Sequence, residues 1–296
     1  MRSAVVVTHR ELPPNRGIVG NVVDRLRQRG FSVSVVNDLP ALPFGARRAT
    51  VPDDTEIVVV LGGDGTILAA AELVRGTRVP ILGINLGHVG FLAEFERIQA
   101  REAVDRVADR DYRIDERAIA AVSARVPGRG PLADWALNEM TMEKADRSTM
   151  IETGIAIDDV PVTSFAADGV IVSTPTGSTA YAFSVGGPVV WPSVQALEIV
   201  PIAAHALFTR PLIVGQGSNV RIELLPGSQS TGHLTCDGRR TIELPVGSVL
   251  RVTQSPQPLR LAHLSGASFT QRLVTKFGLP ASGWRNEPNR GGVHAR

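Results

Sequence analysis

A run of five apolar residues, Ile57 to Leu61, constrains the fold more than any other stretch of this 296-residue chain. An apolar run without polar alternation is typical of a strand that is buried on both faces of a parallel sheet. Ala4 to Val7 and Pro80 to Ile84 are also short apolar runs, whereas the apolar residues of Ile18 to Leu26 recur at helical spacing. Strands that alternate with helices in this way predict a doubly wound, Rossmann-like α/β domain.

The pattern changes near Tyr112, where short β runs separated by turn signals replace helical periodicity. Asp237-Gly238 is a hairpin signal within this half, and Phe269 to Phe277 is amphipathic and predicts a helix. The fold class is therefore α/β plus all-β. The predicted divisions are an α/β domain over 1–112, a β-sandwich over 113–265, a helix returning to the first domain over 266–280, and a mobile tail over 281–296.

Composition excludes several classes of protein. The 31 basic and 29 acidic residues nearly cancel and no long run of like charge occurs, so the chain lacks the electrostatic signature of nucleic-acid binding. Cys236 is the one cysteine, which leaves no disulfide and no cysteine cluster for zinc. No apolar stretch approaches the ~20 residues that span a bilayer, and the N-terminal apolar run is too short for a signal peptide. We predict a cytoplasmic protein that binds neither nucleic acid nor membrane.

The first chemical motif, Gly62-Gly63-Asp64-Gly65-Thr66, directly follows the buried strand. Ligands of open α/β sheets bind at this end of the strands, and glycine amides beside a helix start suit a phosphate. Asp64 repels phosphate, so it needs a counter-group, either a metal ion or a hydroxyl whose proton it takes. The alternative is a tight turn in which Asp64 only caps the helix.

Two common nucleotide-binding signatures are missing. The chain has no G-x-x-x-x-G-K-[ST] loop, and neither of its two lysines, Lys144 and Lys276, follows a glycine-rich loop. No G-x-G-x-x-G follows the first strand either. A Walker-type NTPase is therefore excluded, and a dinucleotide would have to bind in another way.

Three further motifs contain groups that could bind a nucleotide. The glycine-containing stretch 85–92 predicts a second side of the crevice beside Asp64, although alone it is typical of an ordinary βα loop. Asn138-Glu139 offers the donors and acceptors that read a ribose or a base edge, or else is a solvated strand end. The stretch Asp168 to Tyr181 holds five hydroxyl residues between Ser173 and Thr179, a composition suited to a sugar and a base, or to a generic polar loop.

In this order, the four motifs resemble those of NAD kinases, and the similarity runs from about Val5 to about Phe277. The first motif is shared with diacylglycerol and sphingolipid kinases and, more loosely, with 6-phosphofructokinases, whereas the fourth is specific. The arginine-rich, lysine-poor composition resembles that of actinobacterial proteins. The resemblance implies transfer of a phosphoryl group from ATP or polyphosphate to the 2′-hydroxyl of the adenosine ribose of NAD, giving NADP.

The resemblance also implies roles for individual residues. Asp64 would be the catalytic base, and Gly62, Gly63, Gly65 and Thr66 would form the phosphate-binding loop. The implied NAD contacts are Asp64, Gly65, Asn138, Glu139, Asp168, Thr176, Thr179, Ala180, Tyr181 and Ser184. Further candidates are Asn85, Arg147 and Asp237. The family implies a divalent cation, Mg²⁺ or Mn²⁺, held mainly by substrate phosphates and not by fixed protein ligands, and a homodimer or homotetramer.

Two alternatives remain open from the sequence. A lipid kinase would share only the first motif and would need an apolar, membrane-facing entrance, whereas the fourth motif is polar. A non-catalytic dinucleotide sensor would have no use for the Asp64 carboxylate beside phosphates.

Overall fold

The computed structural model describes residues 2–9, 12, 17–86, 90–93, 95–96, 99–264 and 268–280, so the predicted tail lies outside the described residues. The strands are β1 (Arg2–Thr8), β2 (Phe31–Asn37), β3 (Thr55–Leu61), β4 (Ile81–Asn85), β5 (Phe95–Glu96), β6 (Arg113–Arg117), β7 (Ala120–Arg125), β8 (Leu132–Ala136), β9 (Glu139–Lys144), β10 (Ile151–Ile157), β11 (Val160–Ala167), β12 (Gly169–Ser173), β13 (Ala196–Ile202), β14 (Leu212–Gly215), β15 (Val220–Leu224), β16 (Gly232–Cys236), β17 (Arg240–Leu244), β18 (Val249–Gln254) and β19 (Leu259–His263). The helices are α1 (Gly17–Gln28), α2 (Asp64–Val74), α3 (Ala100–Ala108), α4 (Tyr181–Ser184) and α5 (Phe269–Phe277). Among the described residues, no helix combines the length and the apolar character needed to cross a membrane.

The first sheet has the spatial order β2-β1-β3-β4-β19-β6, and β5 also pairs with β4. Its strands run parallel except for β6, which is antiparallel to β19. Alternate residues of β3 face opposite sides: Val58 and Val60 pack in the core that contains α2, and Ile57 and Val59 pack in the core that contains α1 and α3. Burial on both faces confirms the predicted α/β layer. The strands β6 and β19 belong to this first sheet, although they lie within 113–265, the range predicted for the β-sandwich.

The strands β7 to β18 form two antiparallel sheets of six described strands each. Their orders are β11-β10-β15-β18-β7-β8 and β14-β13-β12-β9-β16-β17. The inward-facing residues of both sheets share one core, in which Met140 and Met142 of β9 lie with Leu250 and Val252 of β18. The all-β half of the predicted fold class is therefore confirmed.

Helix α5 contacts both halves of the molecule. It begins with a reciprocal cap, in which Gln271 N donates to Ser268 Oγ (3.2 Å) and Ser268 N donates to Gln271 Oε1 (2.7 Å). The ring of Phe277 lies 5.7 Å from that of Phe91, in the loop after β4, and 4.5 Å from that of Phe183, in α4. The helix thus returns to the loop after β4, which contains the second motif.

Candidate functional site

Asp64 is held by the backbone of the second motif. It is the first residue of α2, whose N-cap is Gly63, and the helix has no side-chain cap. Its carboxylate accepts two hydrogen bonds, from Phe91 N to Oδ2 (2.9 Å) and from Leu92 N to Oδ1 (3.1 Å). A Cβ at Gly90 would stand 2.2 Å from Oδ1, so only glycine permits this approach. The helix-cap alternative is thus not realised, and the carboxylate keeps lone pairs for another donor.

The second motif lies where the sequence predicted a second side of the crevice. Asn85 is buried at the end of β4, and Gly62 N donates to Ile84 O (3.0 Å), which joins the loops after β3 and β4. Residues 87–89 lie outside the described residues. The described part therefore brings the first and second motifs together around Asp64.

The pair Asn138-Glu139 is held by Asp237. The Asp237 carboxylate is buried and accepts from Leu137 N (3.0 Å) and Asn138 N (2.7 Å), while Asp237 N donates to Glu139 O (2.9 Å). Asp237 and Gly238 have φ of 52° and 63° and lie in the three-residue turn, 237–239, between β16 and β17, where the sequence predicted a hairpin. Asp237 is therefore a positioning residue, because its carboxylate is occupied by backbone amides.

The fourth motif packs directly on the third. Thr174 N donates to Asn138 O (2.8 Å), and a Cβ at Gly177 would stand 2.2 Å from the same oxygen. The buried Thr176 follows, and the 3-10 turn Gly177–Thr179 leads into α4. The two motifs that the sequence predicted to bind a nucleotide thus form one surface at the ends of β9 and β12.

Other predicted contacts lie around this surface. The Tyr181 hydroxyl donates to Glu143 Oε1 (3.0 Å), and burial together with this bond raises the pKa of Tyr181 to about 12. Lys144 Nζ lies 2.6 Å from Asp168 Oδ1. The remaining predicted residues are Thr179 and Ala180, which are half-buried, and Gly65, Arg147 and Ser184, which are exposed.

A row of buried polar residues crosses this sheet, and one of its members was missed by the sequence analysis. Ser173 pairs with Glu139 on one side and with Glu198 on the other. Burial, reinforced by the nearby Asp237 charge, raises the pKa of Glu139 to about 8, and burial raises that of Glu198 to about 7. Among the described residues, neither oxygen of Glu198 has a hydrogen-bond partner, and a Cβ at Gly187 would stand 2.4 Å from Oε1. Both carboxyls therefore stay protonated to a higher pH than an exposed glutamate does.

Glu198 predicts a contribution to the unfolding free energy that is lost as the pH rises. The pKa of Glu198 is raised from 4.5 to about 7. Its contribution to the unfolding free energy is therefore fully present below pH 4.5 and is lost as the pH rises through 7. We expect Glu198→Gln to exceed the wild type in unfolding free energy by about 1–3 kcal/mol at alkaline pH, with little difference at pH 4.5. Thermal unfolding of both proteins at the two pH values measures this.

The matched control is Glu223→Gln, which replaces a half-exposed strand carboxylate. This variant should keep the pH dependence of the wild type. A Glu198→Gln variant whose unfolding temperature falls with pH as steeply as that of the wild type would contradict the raised pKa of Glu198.

A buried ionic network joins the two halves of the molecule. Arg240 donates through Nη1 to Glu72 Oε1 on α2 (3.0 Å) and through Nε to Asp134 Oδ1 (2.9 Å). It also lies 3.4 Å from Asp237 Oδ2, and its guanidinium stacks 4.7 Å from the centre of the Trp135 ring. Helix α2, which begins with Asp64, is thereby tied to the turn that holds Asn138-Glu139.

A cavity of about 440 Å³ opens at the carboxyl ends of β1 and β3. It is lined by Thr8, by Gly63, Gly65 and Thr66 of the first motif, and by Arg239 of the β16–β17 turn. Within the described part of the chain, no group of three or more His, Cys, Asp and Glu side chains is placed to hold a metal ion. Asp64 is not among the described residues that line the cavity, although its neighbours Gly63 and Gly65 are. The cavity thus offers glycine amides and one guanidinium next to the loop that contains Asp64, a set suited to a polyphosphate.

Comparisons with known proteins agree with this arrangement. The family model for the ATP-NAD kinase N-terminal domain matches residues 26–112, and that for the ATP-NAD kinase C-terminal domain matches residues 137–264. An NAD kinase of Bifidobacterium longum subsp. infantis is 59% identical over 96% of this chain and 84% of its own. NAD kinase 2 of Streptomyces coelicolor is 47% identical over 98% of each chain.

Solved structures show the same fold. The crystal structure of an NAD kinase from Archaeoglobus fulgidus in complex with ATP has a TM-score of 0.71 and 25% identity, and the match covers 94% of this chain and 98% of that one. The crystal structure of yeast NADH kinase complexed with NADH has a TM-score of 0.82 at 22% identity, with 95% and 89% covered.

Proposed function

This chain belongs to the NAD kinase family, so it phosphorylates NAD in an ATP-dependent reaction, and we propose that Asp64 and the motifs around it carry that reaction. The observation that supports this assignment is that the amides of Phe91 and Leu92 hold the Asp64 carboxylate. The chain neighbours of Asp64, Gly63 and Gly65, both line the cavity. The comparisons support neither a lipid kinase nor a non-catalytic sensor, because the family matches extend over both halves of the chain.

In the proposed step, Asp64 accepts the proton of the 2′-hydroxyl of the adenosine ribose. The O2′–H bond breaks, a bond forms between O2′ and the γ-phosphorus, and the bond from that phosphorus to the β-phosphate bridging oxygen breaks. The products are NADP and ADP, and the proton passes from Asp64 to water. The amides of Phe91 and Leu92 fix the carboxylate before substrate binds, which saves orientational cost during the reaction.

We assign the NAD contacts to the surface formed by the third and fourth motifs. Asn138 is fixed from both sides, by Asp237 through its amide and by Thr174 through its carbonyl, so its side chain starts from a defined backbone position. Glu139, with its raised pKa, is a hydrogen-bond donor at neutral pH. The other proposed contacts are Gly65, Asp168, Thr176, Thr179, Ala180, Tyr181 and Ser184, with Asn85 and Arg147 as further candidates.

The proposal includes a divalent cation, Mg²⁺ or Mn²⁺, held mainly by the phosphates of the substrates. Asp38 lines the cavity and offers one of the one or two carboxylates that Mg²⁺ takes from a protein in such sites, which leaves Asp64 to act as the base. The cation, when bound, supplies positive charge to the phosphate oxygens. We further propose a cytoplasmic homodimer or homotetramer, and polyphosphate as a second donor beside ATP.

The activity is tested by incubating the protein with NAD, ATP and Mg²⁺ and measuring NADP with an NADP-specific dehydrogenase. We expect NADP to accumulate with ATP, and a parallel reaction with polyphosphate tests the second donor. Diacylglycerol and sphingosine serve as control acceptors and should remain unphosphorylated. Phosphorylation of either lipid in place of NAD would contradict the proposed function, as would NAD binding without turnover.

A further inference from the structure

We infer that Arg239, which lies in the second domain, binds the phosphates of the phosphoryl donor in the cavity beside Asp64. This inference deepens the proposed function and rests on it. A donor bound by Arg239 would contact both halves of the molecule, because the other described residues of the cavity lining come from the first sheet and the loops at its edge.

The charge of the cavity lining favours a phosphate-binding role for Arg239. Among the described residues that line the cavity, Arg239 is the only arginine or lysine, and Asp38 contributes a negative charge. A triphosphate carries several negative charges, so a site that binds it needs compensating positive charge. Glycine amides supply partial charges only, and the chain has just two lysines, Lys144 and Lys276, neither of which lines the cavity.

The guanidinium of Arg239 is held by two partners. Arg239 donates from Nε to Glu72 Oε1 (2.9 Å) and from Nη2 to Leu39 O (2.8 Å). Within the described residues these bonds leave the two donors of Nη1 without an acceptor. Glu72 is on α2, the helix that begins with Asp64, so the guanidinium is fixed relative to the catalytic carboxylate. An arginine whose geometry is already set loses less side-chain entropy when it binds phosphate.

The position of Arg239 in the chain connects the donor with the acceptor site. The same turn contains Asp237, which holds the backbone of Asn138. One short turn therefore contacts both the proposed NAD surface and the donor cavity. A substitution that shifts the backbone of this turn would displace both substrates, whereas removal of the Arg239 side chain alone should weaken binding of the donor only.

The test compares Arg239→Gln with Arg48→Gln, a matched control. Both arginines pair with Glu72, and their side chains are 18% and 17% exposed, but Arg48 does not line the cavity. We expect Arg239→Gln to raise the KM for ATP by about tenfold or more, as for loss of a hydrogen bond to a charged group, with the KM for NAD unchanged. Arg48→Gln should leave both KM values as in the wild type, and Arg239→Lys should give an intermediate KM for ATP.

Calorimetric titration with a non-hydrolysable ATP analogue provides a second measurement that does not depend on turnover. Weaker binding of the analogue to Arg239→Gln, with normal binding to Arg48→Gln, supports the inference. An unchanged KM and affinity for ATP in Arg239→Gln would overturn it, and so would equal losses in both variants, since these would arise through Glu72. If Arg239→Gln does not fold, the same criteria apply to Arg239→Lys. A wild type that binds the analogue but makes no NADP would instead refute the proposed function.

Discussion

Replacement of Asp64 by asparagine is expected to lower kcat by about 10²- to 10⁴-fold, the range that a general base contributes. The amide cannot accept the proton of the 2′-hydroxyl. Its NH₂ group would also face one of the two backbone amides that now donate to the carboxylate, from Phe91 and Leu92. The KM for NAD should change little, because the proposed dinucleotide surface is formed mainly by other residues. Steady-state kinetics with NAD varied at saturating ATP separate the two constants.

The matched control is Asp159→Asn, which removes an exposed carboxylate that pairs with Arg251 on the surface. This variant should keep the wild-type kcat, because Asp159 belongs to none of the four motifs. It should also keep the wild-type stability, since exposed ion pairs contribute little to stability. Thermal unfolding of Asp64→Asn shows whether the loss of activity reflects loss of folded protein. A well-folded Asp64→Asn enzyme with a normal kcat would refute the general-base role.

Replacement of Arg240 by methionine is expected to destabilise the fold by about 3–5 kcal/mol, the range for breaking a buried ion pair. The guanidinium compensates the buried carboxylates of Glu72, Asp134 and Asp237, and methionine would leave them with less positive charge. Methionine also lacks the charge that stacks on the ring of Trp135. The unfolding temperature should fall by on the order of 10 °C, measured by circular dichroism at neutral pH.

Arg251→Met is the control for Arg240→Met, because Arg251 forms an ion pair whose two side chains are exposed. Its effect should stay within about 0.5 kcal/mol. Equal effects of the two substitutions would show that the buried network does not hold the two halves together.

The sequence was informative where the signal is local. The run Ile57 to Leu61 lies within β3, and the amphipathic stretch Phe269 to Phe277 coincides with α5. Asp237-Gly238 forms the predicted hairpin turn because both residues adopt the positive φ that such turns require. The first motif follows β3 and the hydroxyl-rich part of the fourth follows β12, as their positions after apolar runs indicated.

The sequence was silent where the determinant is a contact between distant residues. The strand β19 joins the first sheet through one residue pair with β4, Leu261 with Ile81, and a short β run does not specify its partner. Backbone amides hold Asp64, and an amide has no sequence signature. Arg240 and Glu198 are charged residue types, which are mostly exposed in proteins, so their burial could not be predicted from residue type.

A crystal structure of the protein with NAD and a non-hydrolysable ATP analogue tests most directly whether Asp64 is the base, because it gives the position of the carboxylate relative to the ribose. We predict that a carboxylate oxygen of Asp64 lies within about 2.6–3.2 Å of the 2′-oxygen of the adenosine ribose, or reaches it through one water. A complex with the carboxylate still on the amides of Phe91 and Leu92 but turned away from the ribose, and the 2′-oxygen next to another base, would contradict the account.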